Sequence, residues 1–207
     1  MFLSAFTSVK MVKFFNGKTV YFAVGIADLN IHNLISDFNQ TLINAGLSTE
    51  FFVPLNHLHI SLAKFNLKNN IKDFITYEKI SLILLKTVNK FRLNLEKLRI
   101  NNIFYGHSVK LYLTPDSTTF INNLRCYVIE TANEYGILFE DERSYVPHIS
   151  ILDEMYGSLT NSECYLSERV VQNFSKIFSN KSFRIKDIKI LTPRSRLSLH
   201  IEDYKMI

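Results

Sequence analysis

Two stretches of the sequence, HLHISLAK (57–64) and YVPHISILD (145–153), contain the same tripeptide, His-Ile-Ser, in an apolar context that favours β-strands. The histidines and serines of these tripeptides are His59, Ser61, His148 and Ser150. Because successive side chains of a strand point to opposite faces, each histidine shares a face with its serine, and the intervening isoleucine points into the core. Each stretch therefore predicts a strand that presents an imidazole beside a hydroxyl.

The segments around the two motifs follow a similar order of elements. Alternating apolar residues predict strands, and apolar residues at helical spacing between capping residues predict helices. The predicted elements are strand 18–27, a helix from Asp28 to Ala45 closed by Gly46, strand 58–63, a helix over roughly 69–90, strands 92–100 and 109–114, a helix with Asp116 as N-cap and Gly136 at its end, and strand 146–152. Each half of the chain therefore runs strand, helix, strand.

Length and composition favour one domain. A chain of 207 residues with 47% hydrophobic residues can bury one substantial core, and no Ser-rich, Pro-rich or acidic stretch suggests a linker. We predict a single domain over residues 1–207 with an α+β fold. It consists of two pseudo-symmetric lobes, each an antiparallel sheet with outer helices, and a positively charged cleft lies between them.

The sequence favours a soluble protein. Its first 15 residues are mildly apolar, but they lack a basic leading segment and contain Lys10 and Lys13, which argues against a signal peptide. The longest apolar runs, such as residues 80–85, fall far short of the roughly 20 residues that a membrane span needs. We therefore expect neither secretion nor a membrane partner.

The two cysteines, Cys126 and Cys164, match no metal-binding or redox spacing and are too few for a disulfide framework. We expect both to be buried thiols in a protein of a reducing compartment.

The charge is compatible with an acidic polymer as partner. The formal net charge is +5 and the isoelectric point is about 9.1. Residues 181–196 carry six basic side chains against one acidic side chain, Asp187. This segment predicts either the solvated face of a late hairpin or a face that binds phosphate.

A pair of histidines on facing strands can cleave RNA. Internal attack on an RNA phosphodiester requires a base for the 2′-hydroxyl proton and an acid for the leaving 5′-oxygen. His59 and His148 can supply these two functions, and the hydroxyls of Ser61 and Ser150 can stabilise charge on the phosphate oxygens. We find no cluster of ligands at metal spacing near either motif, so we predict activity without metal or cofactor and resistance to chelators.

A structural role for these residues is the alternative. A single His-x-Ser on a strand is more often a satisfied structural pair than a catalytic one, whereas core packing gives no reason to repeat both polar residues. His57 shares the face of His59 if the strand extends that far, and it stays outside the predicted site. A non-catalytic module that binds RNA is a further alternative, and the intact pair of motifs speaks against it.

The paired motifs resemble those of the 2H phosphoesterase superfamily, whose members carry two H-x-[ST] motifs on strands of two lobes. Within it, the serines of both motifs, LHISL and the pattern FRIKDIKILTPRSRLSLHIE look most like the U6 small nuclear RNA phosphodiesterase family. The resemblance implies a monomeric, nuclear 3′ exonuclease that trims the oligouridine tail of U6 RNA before splicing. It also implies catalysis by His59 and His148, phosphate binding by Ser61 and Ser150, and a cyclic 2′,3′-phosphate or 3′-phosphate product.

The second motif has a further resemblance. YVPHISIL, with proline before histidine, looks more like the RNA 2′,3′-cyclic phosphodiesterases long called 2′-5′ RNA ligases. This resemblance implies an alternative substrate, a 2′,3′-cyclic phosphate or a 2′-5′ linkage. Members of the U6 family stack a terminal base on an aromatic residue, and Tyr145 is the candidate for that contact by position and chemistry. Packing is the alternative function of this ring.

Overall fold

The order of the strands in the sheet decides which parts of the chain can meet. The computed structural model describes residues 19–26, 28–66, 74–91, 97–105, 108–139, 144–152, 160–194 and 198–201. The strands are β1 (Thr19–Ile26), β2 (His59–Asn66), β3 (Lys97–Tyr105), β4 (Val109–Leu113), β5 (His148–Leu152), β6 (Ser182–Arg194) and β7 (Ser198–Ile201). The helices are α1 (Leu29–Asn44), α2 (Phe74–Phe91), α3 (Pro115–Glu134) and α4 (Asn161–Phe178).

The strands pair antiparallel in the order β2-β1-β6-β3-β4-β5, and β7 pairs with β6. The predicted α+β fold with two sheet-containing halves is confirmed. The two halves share one strand, because β6 pairs with β3 through residues 182–184 and with β1 through residues 185–191. The late hairpin predicted near residues 181–196 is the pair β6 and β7.

Helix α1 has the bounds that its sequence predicts. The Asp28 side chain accepts hydrogen bonds from the backbone N–H groups of Asn30 and Ile31, as an N-cap does. Gly46 follows the helix with φ +102°, a conformation that residues with a Cβ rarely adopt. Of its apolar residues at helical spacing, Leu34 is half-buried, and the others are buried, namely Ile31, Ile35, Phe38 and Leu42.

Helix α3 begins earlier than its sequence suggests. The N-cap is Thr114 and not Asp116, because Pro115 occupies the first helical turn, where its missing N–H costs nothing. Asp116 lies in that first turn, and Gly136 ends the segment with φ +74°. Cys126 was expected to be buried but is exposed, because a helix that turns Leu124 and Val128 inward turns the residue between them outward.

Two other predicted elements extend into residues outside the description. Helix 69–90 is described from Phe74 onwards, and strand 92–100 from Lys97, after which it continues to Tyr105. Helix α4 was not predicted. It packs against α1 and β3, whereas α3 packs against α2 and the strands β2, β3 and β4. In the described part of the chain, no helix is long and apolar enough to cross a bilayer.

Candidate active site

The two motif strands lie at opposite ends of the sheet order, yet they contact each other. The segment before β2 pairs with β5, since the backbone N–H of Val53 donates to the carbonyl oxygen of Ile151 at 2.9 Å. A second link comes from the hydroxyl of Tyr145, which donates to the carbonyl oxygen of Ser61 at 2.7 Å. The fold therefore brings the two His-Ile-Ser tripeptides together.

Each motif histidine is held by a hydrogen bond of the same kind, between its Nδ1 and a backbone carbonyl oxygen two residues earlier. His59 Nδ1 lies 2.8 Å from the carbonyl oxygen of His57, and His148 Nδ1 lies 2.8 Å from that of Val146. A carbonyl oxygen only accepts, so Nδ1 carries the hydrogen in each ring. In the neutral ring the lone pair is then on Nε2, which makes Nε2 the nitrogen that can take up or release a proton.

The strands present their side chains as the alternation predicts. Ile60 and Ile149 are fully buried, at 0% exposure, whereas both histidines are half-buried. Ser61 is exposed and Ser150 is half-buried. Each tripeptide therefore turns an imidazole and a hydroxyl away from the core.

In the first half, small residues lie beside the motif. Gly25 of β1 is opposite His59 in the strand register, and Ala23 is opposite Ser61. Directly opposite residues of an antiparallel pair point to the same face, so the sheet beside this motif carries a hydrogen atom and a methyl group. The neighbouring strand leaves the first histidine and serine without bulky neighbours in this direction.

In the second half, larger residues occupy the corresponding positions. Tyr112 of β4 is opposite His148, and Lys110 is opposite Ser150. The ring centroids of Tyr112 and His148 are 6.0 Å apart. Lys110 and Tyr112 were not predicted as site residues. The alternation in β4 could have placed them on the open face, because the residues between and beside them are buried, namely Val109, Leu111 and Leu113.

Tyr145 makes contacts with both halves. Besides its hydrogen bond to Ser61, its ring lies under the guanidinium group of Arg125, with the guanidinium carbon 4.5 Å from the ring centroid. Burial raises the pKa of the Tyr145 phenol above its ordinary value, and the positive charge of Arg125 opposes this shift. The predicted stacking of a base on Tyr145 stays a prediction. Its described contacts are those of a residue that connects the strands.

Arg125 of α3 is a third residue that was not predicted from the sequence. Its Nε donates to the carbonyl oxygen of Leu62 at 3.0 Å, and its guanidinium carbon is 4.9 Å from the ring centroid of Phe139. Arg125 therefore connects β2 to the segment that leads into β5. No local pattern marks it, because its partners are distant in sequence.

Other predicted features lie near or outside this site. Of the basic segment 181–196, Lys181 and Arg184 are exposed, and most of the remaining side chains lie outside the description. The phosphate-binding interpretation of the segment stays a prediction. Among the residues that the structure describes, no group of three or more His, Cys, Asp or Glu side chains is arranged to hold a metal ion.

Comparisons with known proteins bear on the fold. Neither a protein-family model nor a curated protein sequence matches the chain. Escherichia coli LigT complexed with NADP+ matches with a TM-score of 0.53 and 14% identity, over 89% of this chain and 93% of LigT. LigT complexed with 3′-AMP matches with a TM-score of 0.50 and 14% identity, over 90% and 95%.

Kluyveromyces marxianus Usb1 with uridine monophosphate matches with a TM-score of 0.47 and 9% identity, over 89% of this chain and 97% of Usb1. This likeness is too low to support an argument. From the LigT matches, the chain has the fold of the 2H phosphoesterases, and at such low identity the likeness concerns the fold alone.

Proposed function

We propose that this protein is a metal-independent RNA phosphodiesterase in which His59 and His148 act as a general acid and base on one phosphate. One observation carries the proposal. The two His-Ser pairs lie on strands that contact each other, and each histidine has its Nδ1 fixed by a carbonyl oxygen two residues earlier. This arrangement directs the chemistry of both rings to Nε2.

The proposed reaction proceeds in two steps. One histidine removes the proton of a 2′-hydroxyl, whose oxygen attacks phosphorus, while the other histidine protonates the leaving 5′-oxygen. The products are a 2′,3′-cyclic phosphate and a free 5′-hydroxyl. If water then opens the cyclic phosphate, the two histidines exchange functions and a 3′-phosphate results.

The serines act on the same phosphate in this proposal. The hydroxyls of Ser61 and Ser150 donate to its non-bridging oxygens, whose negative charge increases as the attacking oxygen approaches. Each serine lies on the face of its own histidine, so the two pairs approach the phosphate from different strands.

The proposed substrate is the 3′ oligouridine tail of U6 small nuclear RNA, trimmed by a nuclear monomer from the 3′ end. Its support is the sequence resemblance of LHISL, of the second His-Ile-Ser and of the β6–β7 segment to that family. LigT, which has the same fold, has been seen with 3′-AMP and NADP+, and nucleotides are the expected ligands here too. Tyr145 is the proposed contact for the terminal base.

A second substrate class is favoured by one feature of the chain. Pro147 precedes His148 as in the RNA 2′,3′-cyclic phosphodiesterases, and it is buried. The same two histidines would then open a 2′,3′-cyclic phosphate or cleave a 2′-5′ linkage and leave ordinary 3′ tails intact.

One experiment separates these candidates. The purified protein is incubated in excess EDTA with a 5′-labelled oligouridine, with an RNA that ends in a 2′,3′-cyclic phosphate, and with a 2′-5′ oligoadenylate. The proposal predicts a ladder that shortens from the 3′ end of the oligouridine, with cyclic phosphate or 3′-phosphate termini.

If the oligouridine stays intact and either of the other two substrates is converted, the exonuclease proposal is wrong and the second substrate class is supported. No reaction with any of the three substrates would contradict the phosphodiesterase itself.

A further inference from the structure

The open face of the second half carries a row of aromatic rings that ends at a catalytic candidate. Phe104 of β3 and Tyr112 of β4 have ring centroids 5.8 Å apart and planes at 70°, an edge-to-face contact. Tyr112 in turn is 6.0 Å from the ring of His148. The row therefore runs from the motif outward across two neighbouring strands.

Phe104 is 51% exposed, which is unusual for a ring of this size. Ile103 and Leu111, which directly precede Phe104 and Tyr112 in their strands, are buried and point to the core. Phe104 and Tyr112 therefore point to the opposite face. Neither aromatic residue is among those packed against that core. An exposed apolar ring beside a polar site favours a ligand with a flat apolar surface.

A cation lies within the same group of side chains. Lys110 is opposite Phe104 on one side and opposite Ser150 on the other, so all three residues point to the same face. The open face thus combines two aromatic rings, an ammonium group and the second His-Ser pair. A nucleotide combines a planar base with an anionic phosphate, which matches this set.

The positions directly opposite His59 and Ser61 carry no ring or ammonium group, and a tyrosine–lysine pair, Tyr21 and Lys64, lies farther along the same two strands. Gly25 and Ala23 lie beside His59 and Ser61, so the two halves are similar in their motifs and different in their flanks. Two nucleosides flank any scissile phosphodiester. Because the residues beside the two His-Ser pairs differ, the two nucleosides meet different surroundings.

We infer that Phe104 and Tyr112 form a base-binding subsite on the His148 side of the scissile phosphate, with Lys110 directed to the phosphate. The inference rests on the proposed function and adds a second base contact to that proposed for Tyr145. It makes the enzyme dependent on the base of one particular nucleoside of the two that the phosphate joins. It favours RNA over substrates that carry a phosphodiester without a base there.

The test compares three 5′-labelled oligouridines. One is intact, one has an abasic ribose at the last position, and one has it at the next-to-last position. For wild-type protein, removal of the base in the subsite should lower kcat/KM by about 5-fold or more, as expected for a base stacked on an aromatic side chain. Phe104→Leu and Tyr112→Leu, which keep apolar bulk and remove the aromatic ring, should lose this penalty at one position and keep any penalty at the other.

Leu29→Ala serves as the matched control, because Leu29 is an exposed apolar residue of α1 outside this face. It should behave as wild type with all three substrates. Penalties that remain unchanged in both Phe104→Leu and Tyr112→Leu would overturn the subsite while leaving the phosphodiesterase intact.

A binding measurement makes the subsite testable without turnover. 3′-UMP, 5′-UMP and the corresponding ribose phosphates are titrated against wild-type and Phe104→Leu protein by calorimetry, because the two nucleotides represent the nucleosides on the two sides of the phosphate. The subsite predicts that the affinity for one of the two nucleotides falls by about 5-fold in the variant, while the affinities for the ribose phosphates stay unchanged. If no RNA is cleaved but this loss is seen, the subsite stands and the proposed reaction fails. Equal affinities of both proteins for both nucleotides would overturn the subsite.

Discussion

His59 and His148 lie on different strands, yet each ring is held through Nδ1 by the carbonyl oxygen two residues before it. This backbone acceptor fixes the ring orientation and the tautomer. The two imidazoles are equivalent in this hydrogen bond. In the proposed reaction, the acid and the base differ in the side of phosphorus that each one reaches.

The rate of a reaction that needs one neutral and one protonated histidine passes through a maximum as pH increases. We predict that kcat/KM rises and then falls as pH increases, because low pH protonates the base and high pH deprotonates the acid. The measurement is the pH dependence of initial rates in EDTA. His32→Gln is the control, since His32 contacts the carbonyl oxygen of Ile26 outside both motifs, and it should keep the maximum. A rate that depends on pH on one side only would contradict the pair.

Tyr145 offers a test of the link between the strands. Burial raises its pKa, so the folded protein keeps the phenol protonated at pH values where an unfolded chain, with a pKa of about 10, releases the proton. A group with a raised folded pKa stabilises the fold below the unfolded pKa, and its contribution falls as pH rises beyond that value. The hydrogen bond to Ser61 contributes about 1 kcal/mol at neutral pH.

We predict that Tyr145→Phe lowers the free energy of unfolding by about 1 kcal/mol at pH 7. The difference in the free energy of unfolding between wild type and variant should become smaller above about pH 10, where the wild type loses the contribution of its phenol. Chemical denaturation at several pH values measures both quantities. A gap that grows with pH would contradict the assigned burial of the phenol.

At the scale of elements, α3 is the part of the fold that fixes β2 relative to the segment before β5. Arg125 makes this connection with a hydrogen bond to Leu62 and with stacking on Tyr145 and Phe139. Its planar guanidinium group can do both at once, whereas the ammonium group of lysine cannot. Arg125 is therefore a positioning residue for the motif strands.

We predict that Arg125→Lys lowers the free energy of unfolding by about 1–2 kcal/mol and lowers kcat more than it raises KM. The reason is that charge is kept while the geometry between the motif strands is loosened. Thermal unfolding and steady-state kinetics provide the two measurements.

Lys90→Met is the control, because Lys90 also lies over an aromatic ring but does not connect the motif strands. Lys90 is on α2, and its Nζ is 4.1 Å from the ring centroid of Tyr127 on α3. This variant should leave kcat unchanged. Equal kcat in Arg125→Lys and wild type would contradict the positioning function.

Elements with strong local signals could be predicted from the sequence. α1 has both a capping aspartate and a closing glycine, and the two His-Ile-Ser strands have a clear alternation. The start of α3 was misplaced because Pro115 and Asp116 are both good residues for a first turn. The contacts of Arg125 and the pairing of β6 with both halves could not be predicted, because these partners are defined by the tertiary fold and not by neighbouring residues.

At the scale of the whole molecule, β6 makes the two halves dependent on each other. It pairs with β1 of the first half and with β3 of the second, and the motif strands meet at the other ends of the sheet. Neither half can lose its sheet without exposing an edge of the other. The candidate site therefore requires both halves to be folded.

We predict that the protein unfolds in one cooperative transition. The chain contains ten tyrosines and no tryptophan, so tyrosine fluorescence reports on packing while far-ultraviolet circular dichroism reports on helices. Both signals and the loss of catalytic activity should have the same denaturant midpoint. Two separated transitions, with one half still folded, would contradict the coupling through β6.

The central claim is that His59 and His148 act together on one phosphate, and the kinetics of single and double variants test it most directly. The measurement is kcat in excess EDTA for wild type, His59→Ala, His148→Ala and the double variant, with circular dichroism to establish that each is folded. We predict that each single variant loses about 10²–10⁴-fold. The fold-loss of kcat in the double variant should be far smaller than the product of the two single losses, since the effects of substituting residues that act as a unit are not additive. Wild-type kcat in either single variant would contradict the claim.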